Sequence, residues 1–222
     1  MRWNARFAQS NVVHKKTSML KSFGSEYWIS QGPFDNADEP QGLAYSPRRK
    51  IVYGVTRTAG DDDLIRIDPA TGATLSHTAI TGRIDIIALA WDPGPTNARS
   101  DDRLLGLDSD GKFETLIEID PDTGAATTID ALEFGNPTSG RVSGMAYDSA
   151  NQELYVLSFA GLQTVDIDSC DSPPSFCQTT VITDPFGRTL ARVGASLAYS
   201  AVTGNIYMIG NYRTLFSIMD VS

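Results

Sequence analysis

An all-β fold of repeated antiparallel sheets is predicted by three features of this sequence. The first is a phrase that recurs four times, as Leu43-Ala44-Tyr45, Leu89-Ala90-Trp91, Met145-Ala146-Tyr147 and Leu197-Ala198-Tyr199. Its aromatic residues, at positions 45, 91, 147 and 199, are spaced by 46, 56 and 52 residues, a period that belongs to blade-like repeats rather than to a single irregular core. The second is a succession of short apolar runs rich in β-branched and aromatic residues. The third is the dense punctuation by Gly, Pro, Asn and Asp, which leaves almost no room for long helices.

Each repeat reads as four strands. The first holds the recurring phrase, with Ala44, Ala90, Ala146 and Ala198 set between bulky neighbours, a pattern that expects packing on both sheet faces. The second is Ile51-Val52-Tyr53-Gly54, Leu104-Leu105-Gly106-Leu107, Leu154-Tyr155-Val156-Leu157 and Ile206-Tyr207-Met208-Ile209. The third is Leu64-Ile65-Arg66-Ile67, Leu116-Ile117-Glu118-Ile119, Thr164-Val165-Asp166-Ile167 and Leu215-Phe216-Ser217-Ile218. Turn-prone stretches such as Ser46-Pro47-Arg48-Arg49-Lys50 and Asp148-Ser149-Ala150-Asn151-Gln152 join first strands to second, and Pro93 to Arg103 is a longer connection of the same kind. After the third strand come Asp68-Pro69-Ala70-Thr71-Gly72 and Asp120-Pro121-Asp122-Thr123-Gly124. There Asp accepts backbone N–H groups, Pro presets φ and Gly supplies a positive φ. A Thr-rich fourth strand follows at Ala73 to Ile80, Ala125 to Ile129 and Gln178 to Thr183.

Four-stranded meanders at this period predict a β-propeller with blades near 41–80, 86–130, 141–183 and 192–222, with a β-sandwich as the competing all-β arrangement. Residues 1–40 form a separate N-terminal segment. Its stretch Arg6 to His14 is expected to pair with Leu215 to Val221 and fasten the ring, which would remove two exposed sheet edges. Ser25 to Gly32 reads as a further strand and leaves room for a degenerate fifth blade.

The stretches LAYS…IVYGV…LIRIDPATGA and GMAYDS…ELYVL resemble the degenerate repeats of bacterial β-propellers of the quinoprotein-like and NHL-like type, over residues 41 to 222. The resemblance implies the fold and leaves activity open, since such propellers serve as enzymes, ligand binders and scaffolds, many of them secreted or surface-associated. Members commonly carry six to eight blades. Four here imply a small closed ring, a part of a larger propeller without a complete site, or two chains sharing one ring.

The bulk properties narrow the partners. A chain of 222 residues, 41% hydrophobic and 20% charged, buries a substantial core, and its repeats argue for one domain. The formal net charge of −9 repels phosphate backbones and anionic lipid, and Lys15-Lys16 and Arg48-Arg49-Lys50 are too short to offset it. Nucleic acid and membrane insertion are therefore not expected; a small anionic ligand or a protein partner is, on a soluble monomer or homodimer. The N-terminus lacks the apolar stretch of a signal peptide. Cys170 and Cys177 flank Asp-Ser-Pro-Pro-Ser-Phe, a proline-stiffened loop that can close as a local disulfide or stay open. A closed bridge would fit an extracytoplasmic setting. Zinc is not expected, because the only histidines, His14 and His77, are distant and read as ordinary strand residues.

Candidate chemistry gathers on the face where loops enter the first strands. Arg83, Arg141 and Arg192 each precede such a strand, and three guanidinium groups about an axis would suit a carboxylate, sulfate or phosphate. Capping of blade ends through carbonyls and neighbouring aspartates is the competing role. Asp61, Asp62 and Asp63, between the second and third strands of the first repeat, offer oxygen ligands for Ca²⁺, or else form a solvated loop. Asp108-Ser109-Asp110-Gly111 lacks the later bidentate Glu of a calcium loop and reads as a hairpin turn. The sequence contains no Gly-x-Ser-x-Gly elbow and no phosphate-binding loop. The expected function is thus a non-catalytic binding or interaction module. A hydrolase or lyase with a metal-assisted axial site is the alternative.

Overall fold

The computed structural model describes residues 18–21, 29–33, 40–57, 60–95, 98–109, 114–133, 142–158, 161–171, 176–183, 194–200, 204–210 and 215–218. Within them the chain is all-β, with short 3₁₀ turns at Arg99–Asp101 and Ile167–Asp171. A hairpin of β1 (Ser18–Lys21) and β2 (Ile29–Pro33) comes first. The first repeat is an antiparallel meander of β3 (Pro40–Ser46), β4 (Ile51–Thr56), β5 (Asp63–Ile67) and β6 (Thr74–Ala79). The second runs through β7 (Ile86–Asp92), β8 (Arg103–Ser109), β9 (Glu114–Ile119) and β10 (Ala126–Glu133). The third holds β11 (Val142–Asp148), β12 (Glu153–Ser158), β13 (Gly161–Asp166) and β14 (Cys177–Val181). The fourth shows β15 (Gly194–Ser200), β16 (Asn205–Gly210) and β17 (Leu215–Ile218). Among the described residues no helix is long and apolar enough to cross a membrane, a statement that does not bear on membrane β-barrels.

Turn chemistry shapes the meanders. At Asp68 the carboxylate accepts the Ala70 N–H at 2.8 Å and the Thr71 hydroxyl at 2.8 Å, while Gly72 takes φ 76° and donates its N–H to the Asp68 carbonyl. Asp120 repeats the device: its Oδ1 accepts N–H bonds from Asp122 and Thr123, and Gly124 takes φ 75°. Those bonds hold the Asp120 carboxyl below the usual carboxylate range.

The first strands stand side by side, β3 against β7, β7 against β11 and β11 against β15. They approach so closely that side chains are shed. A Cβ on Gly42 would lie 2.8 Å from the Leu89 nitrogen, and one on Gly144 2.7 Å from the Leu197 nitrogen. The main apolar clusters therefore lie between repeats. Ala44, Tyr53, Val55 and Leu64 of the first meet Leu89, Trp91, Leu104 and Ile117 of the second, with the Tyr53 and Trp91 rings stacked at 5.4 Å and 3°. A second cluster joins the second and third repeats around Leu105, Leu116, Leu154 and Val156, and a third joins the last two around Tyr155, Leu157 and Leu197. Polar latches reinforce them: the Tyr147 hydroxyl donates to Asp92, and the Tyr199 hydroxyl to Asp148. Burial, and then the Asp92 charge, push the Tyr147 phenol up to about 12.

Two features depart from the sequence reading. The second and third repeats do not stay separate four-stranded sheets. β10 runs on to Glu133, beyond the expected end at Ile129, and pairs in parallel with β14 through Leu132 with Cys177 and Glu133 with Gln178. The result is one eight-stranded sheet, β11-β12-β13-β14-β10-β9-β8-β7, whose end strands β7 and β11 also lie against each other, so that it nearly closes. The physical reason is Leu132, which is buried with Cys170 and Cys177 in the cluster between these repeats and draws the β10 extension inward. The second departure concerns packing on both sheet faces. It holds for Ala44, Ala90 and Ala146, which are buried, but Ala198 is exposed at one end of the array, and Leu43 and Tyr45 at the other.

Candidate functional site

The first strands share a distortion with functional weight. In each, one extra residue breaks the register with the second strand: Gln41 between Pro40 and Gly42, Ile87 between Ile86 and Ala88, Ser143 between Val142 and Gly144, and Ala195 between Gly194 and Ser196. Such bulges re-aim side chains and gather at rims and binding sites. Here they surround a cleft of about 20 Å³ where the four strands converge, lined by Gln41, Ile87, Ser143, Met145, Ser196 and the bare backbone of Gly42 and Gly144. None of those residues titrates near neutral pH, and the volume is below the few hundred Å³ usual for a metabolite pocket.

At the same end lies a polar rim that unites two of the residue groups singled out in the sequence. The Asp62 N–H donates to the Arg83 carbonyl at 2.6 Å, so the Asp61–Asp63 segment and the Arg83 loop are directly joined. The Arg83 guanidinium donates to Asp108 Oδ2 at 2.7 Å and to Thr128 Oγ1 at 2.6 Å, binding the loop to β8 and β10. Arg57 pairs with Asp85 alongside. Arg141 and Arg192 lie outside the described residues, as do His14, the Arg6 to His14 segment, Asp110 and Gly111.

Asp62 is fully buried. Its Oδ2 accepts the Ile86 N–H at 2.8 Å, tying the first repeat to the start of the second, and its Oδ1 is buried without a hydrogen-bond partner. Burial pushes its pKa up, against the opposing effects of the Ile86 N–H and of Arg57. A carboxyl whose folded pKa is raised stabilises the fold below its unfolded pKa and loses that contribution as pH rises through the folded value. Asp62→Asn keeps an acceptor for Ile86 and cannot ionise. It is expected to be at least as stable as the parent at neutral pH, with the difference vanishing below about pH 4. Asp62→Ala, which strands the Ile86 N–H, is expected to lose about 1–3 kcal/mol. Urea unfolding of the three proteins across pH checks both; equal losses in Asn and Ala at neutral pH would contradict the account.

The other candidates are placed as follows. Asp63 opens β5, and its carboxylate lies 3.9 Å from His77 Nδ1 on β6, so it turns toward the outer strand while Asp62 turns inward. The three aspartates therefore do not converge, and among the described residues no group of three or more His, Cys, Asp or Glu side chains is arranged to hold a metal ion. Cys170 and Cys177 are joined in a disulfide, with Cα atoms 4.3 Å apart. At the opposite end of the first two repeats, Arg49 donates from Nη1 to both Asp122 oxygens at 2.9 Å and lies over the Trp91 ring, while Arg48 pairs with Asp102. The bulge residues escaped the sequence reading, although a signal was present: Gly42, Ala88, Gly144 and Ser196 are the small residues that immediately precede each recurring phrase.

Antiparallel meanders with their first strands gathered about a common cleft define a β-propeller-type fold. Among solved structures the chain is similar to hydrazine synthase of Kuenenia stuttgartiensis, with a TM-score of 0.52 at 13% identity over 86% of this chain and 62% of that one. It is also similar to a chain of the nidogen/laminin complex (TM-score 0.48, 9% identity, 86% of this chain and 79% of that one). The Dos1 propeller gives a TM-score of 0.47 at 11% identity, over 82% and 41% of the two chains. At 13% identity the likeness to hydrazine synthase is one of fold alone, and the chain spans about six-tenths of that chain. No protein-family model matches the sequence, and no curated protein matches it.

Proposed function

We propose that the chain is a non-catalytic binding module. In this reading four propeller blades, near 41–80, 86–130, 141–183 and 192–222, present a small-anion site at the bulged end of their first strands. The observation that carries the reading is the cleft itself. Four equivalent bulges open it, hydrogen-bonding and apolar groups line it, and no acid–base pair stands among its lining residues. Arg83 stands on the adjoining rim, and in the sequence Arg141 and Arg192 likewise precede the first strands of the third and fourth repeats. Arg83 spends two donors on Asp108 and Thr128, so Arg141 and Arg192 are the guanidinium groups assigned to the ligand. The disulfide supports an extracytoplasmic setting, where such bonds persist.

Titration calorimetry with inorganic phosphate and with sulfate tests this. The parent is expected to bind one of them, and Arg141→Ala/Arg192→Ala to bind it at least about tenfold more weakly, as the loss of charge-assisted hydrogen bonds requires. A parent that binds neither anion, or a double variant that binds as well as the parent, would overturn the proposal.

A further inference from the structure

The seam between the first and second repeats holds, at the end away from the cleft, buried polar atoms that reach no partner. The Arg49 side chain is 9% exposed and the Asp102 side chain is fully buried. Arg49 Nε and Asp102 Oδ2 lie 4.0 Å apart, and among the described residues neither has a hydrogen-bond partner. That separation is too long for a direct bond, whose N···O distance is about 2.7–3.2 Å. The Tyr53 hydroxyl, also buried, lies close to the same guanidinium without reaching hydrogen-bond geometry.

Each of the two charged groups is held from its other side, so they do not simply close on one another. Arg49 Nη1 donates to both Asp122 oxygens at 2.9 Å, and the guanidinium rests over the Trp91 ring. Asp102 accepts from Arg48 at Oδ1, and Arg48 in turn donates to the Ala98 and Pro93 carbonyls. A buried donor and a buried acceptor of opposite charge are thus fixed a short step apart. Leaving both unmet would cost the desolvation of a charged pair without the bonds that offset it.

We infer that this seam binds a single water molecule, which accepts the Arg49 Nε–H and donates to Asp102 Oδ2, with the Tyr53 hydroxyl as a third partner. The chemistry of the two fixed groups selects it. The ligand must accept at one side and donate at the other. A fully ionised inorganic anion has no proton to give the carboxylate, and a metal cation has no lone pair to offer the Nε–H. Water does both, and three protein partners are the usual number for an internal water. The site links the turn between β3 and β4, which carries Arg49, to the long connection between β7 and β8, which ends at Asp102. Exchange of this molecule with solvent therefore requires the first two repeats to part locally at that turn. The inference rests on burial and distance, and it is independent of the anion site at the other end of the repeats.

A high-resolution crystal structure of the full chain is expected to show one ordered water within about 3.2 Å of both Arg49 Nε and Asp102 Oδ2. A direct Arg49–Asp102 hydrogen bond, or the two atoms bonded to other protein groups with no water between them, would overturn the proposal. In solution, magnetic relaxation dispersion of the water signal counts long-lived internal molecules. Arg49→Met keeps an unbranched side chain over Trp91 and removes the Nε–H, so it is expected to lose one such molecule relative to the parent. An undiminished count in a variant that keeps the parent's far-UV spectrum would equally overturn the proposal.

Discussion

Trp91→Ala is expected to lower the unfolding free energy by about 3–5 kcal/mol, the range for removing a large buried aromatic side chain. The residue fills the seam between the first two repeats, where its ring stacks on Tyr53 and carries the Arg49 guanidinium 5.6 Å from its centroid. Alanine leaves a cavity that the neighbouring strands cannot close without breaking their own ladders, and it removes the platform that orients Arg49 toward Asp122. Urea unfolding provides the measurement. A loss under about 1 kcal/mol, the scale of an ordinary surface change, would mean that the seam does not depend on the stack. Trp91→Phe, which keeps an aromatic face opposite Tyr53, is expected to recover much of the loss.

Breaking the disulfide is expected to have the next largest effect. Cys170→Ala/Cys177→Ala should lose about 2–4 kcal/mol, since the bond restricts the unfolded chain and both cysteines are buried at the seam between the second and third repeats. The parent unfolded with and without dithiothreitol should show a loss of similar size, and the double variant should be insensitive to the reductant. Equal stability of the oxidised and reduced parent would show that the bridge is not restraining the chain. Leu132 packs in the same cluster and pairs with Cys177 across the parallel contact, so the damage should reach β10 as well as β14.

The strand content was legible because each strand is marked locally. The Leu-Ala-Tyr phrases, the Ile-Val-Tyr-Gly type runs and the Asp-Pro-x-Thr-Gly turns are short-range signals whose geometry follows from the residues themselves, and they became strands and turns close to the positions they mark. What escaped is long-range. The parallel pairing of β10 with β14 depends on residues 132 and 177 meeting in the cluster that also holds the Cys170–Cys177 disulfide, and no periodicity announces such a meeting. The bulges at Gln41, Ile87, Ser143 and Ala195 are set by how closely neighbouring first strands approach, which appears in the sequence only as a run of small residues at 42, 88, 144 and 196. The site was readable to the same degree. Arg83 and Asp62 do share one end of the molecule, as their loop positions imply, but only the fold shows Arg83 bound to Asp108 and Thr128 and Asp62 turned to Ile86.

The parallel seam between β10 and β14 also sets how the molecule comes apart. A plain row of repeats opens from either end, one unit at a time, because each unit touches only its neighbours. Here the middle two repeats are fastened twice, by their first strands near the cleft and by their last strands at the periphery, with the disulfide behind the second fastening. They are expected to form a cooperative block that opens as one.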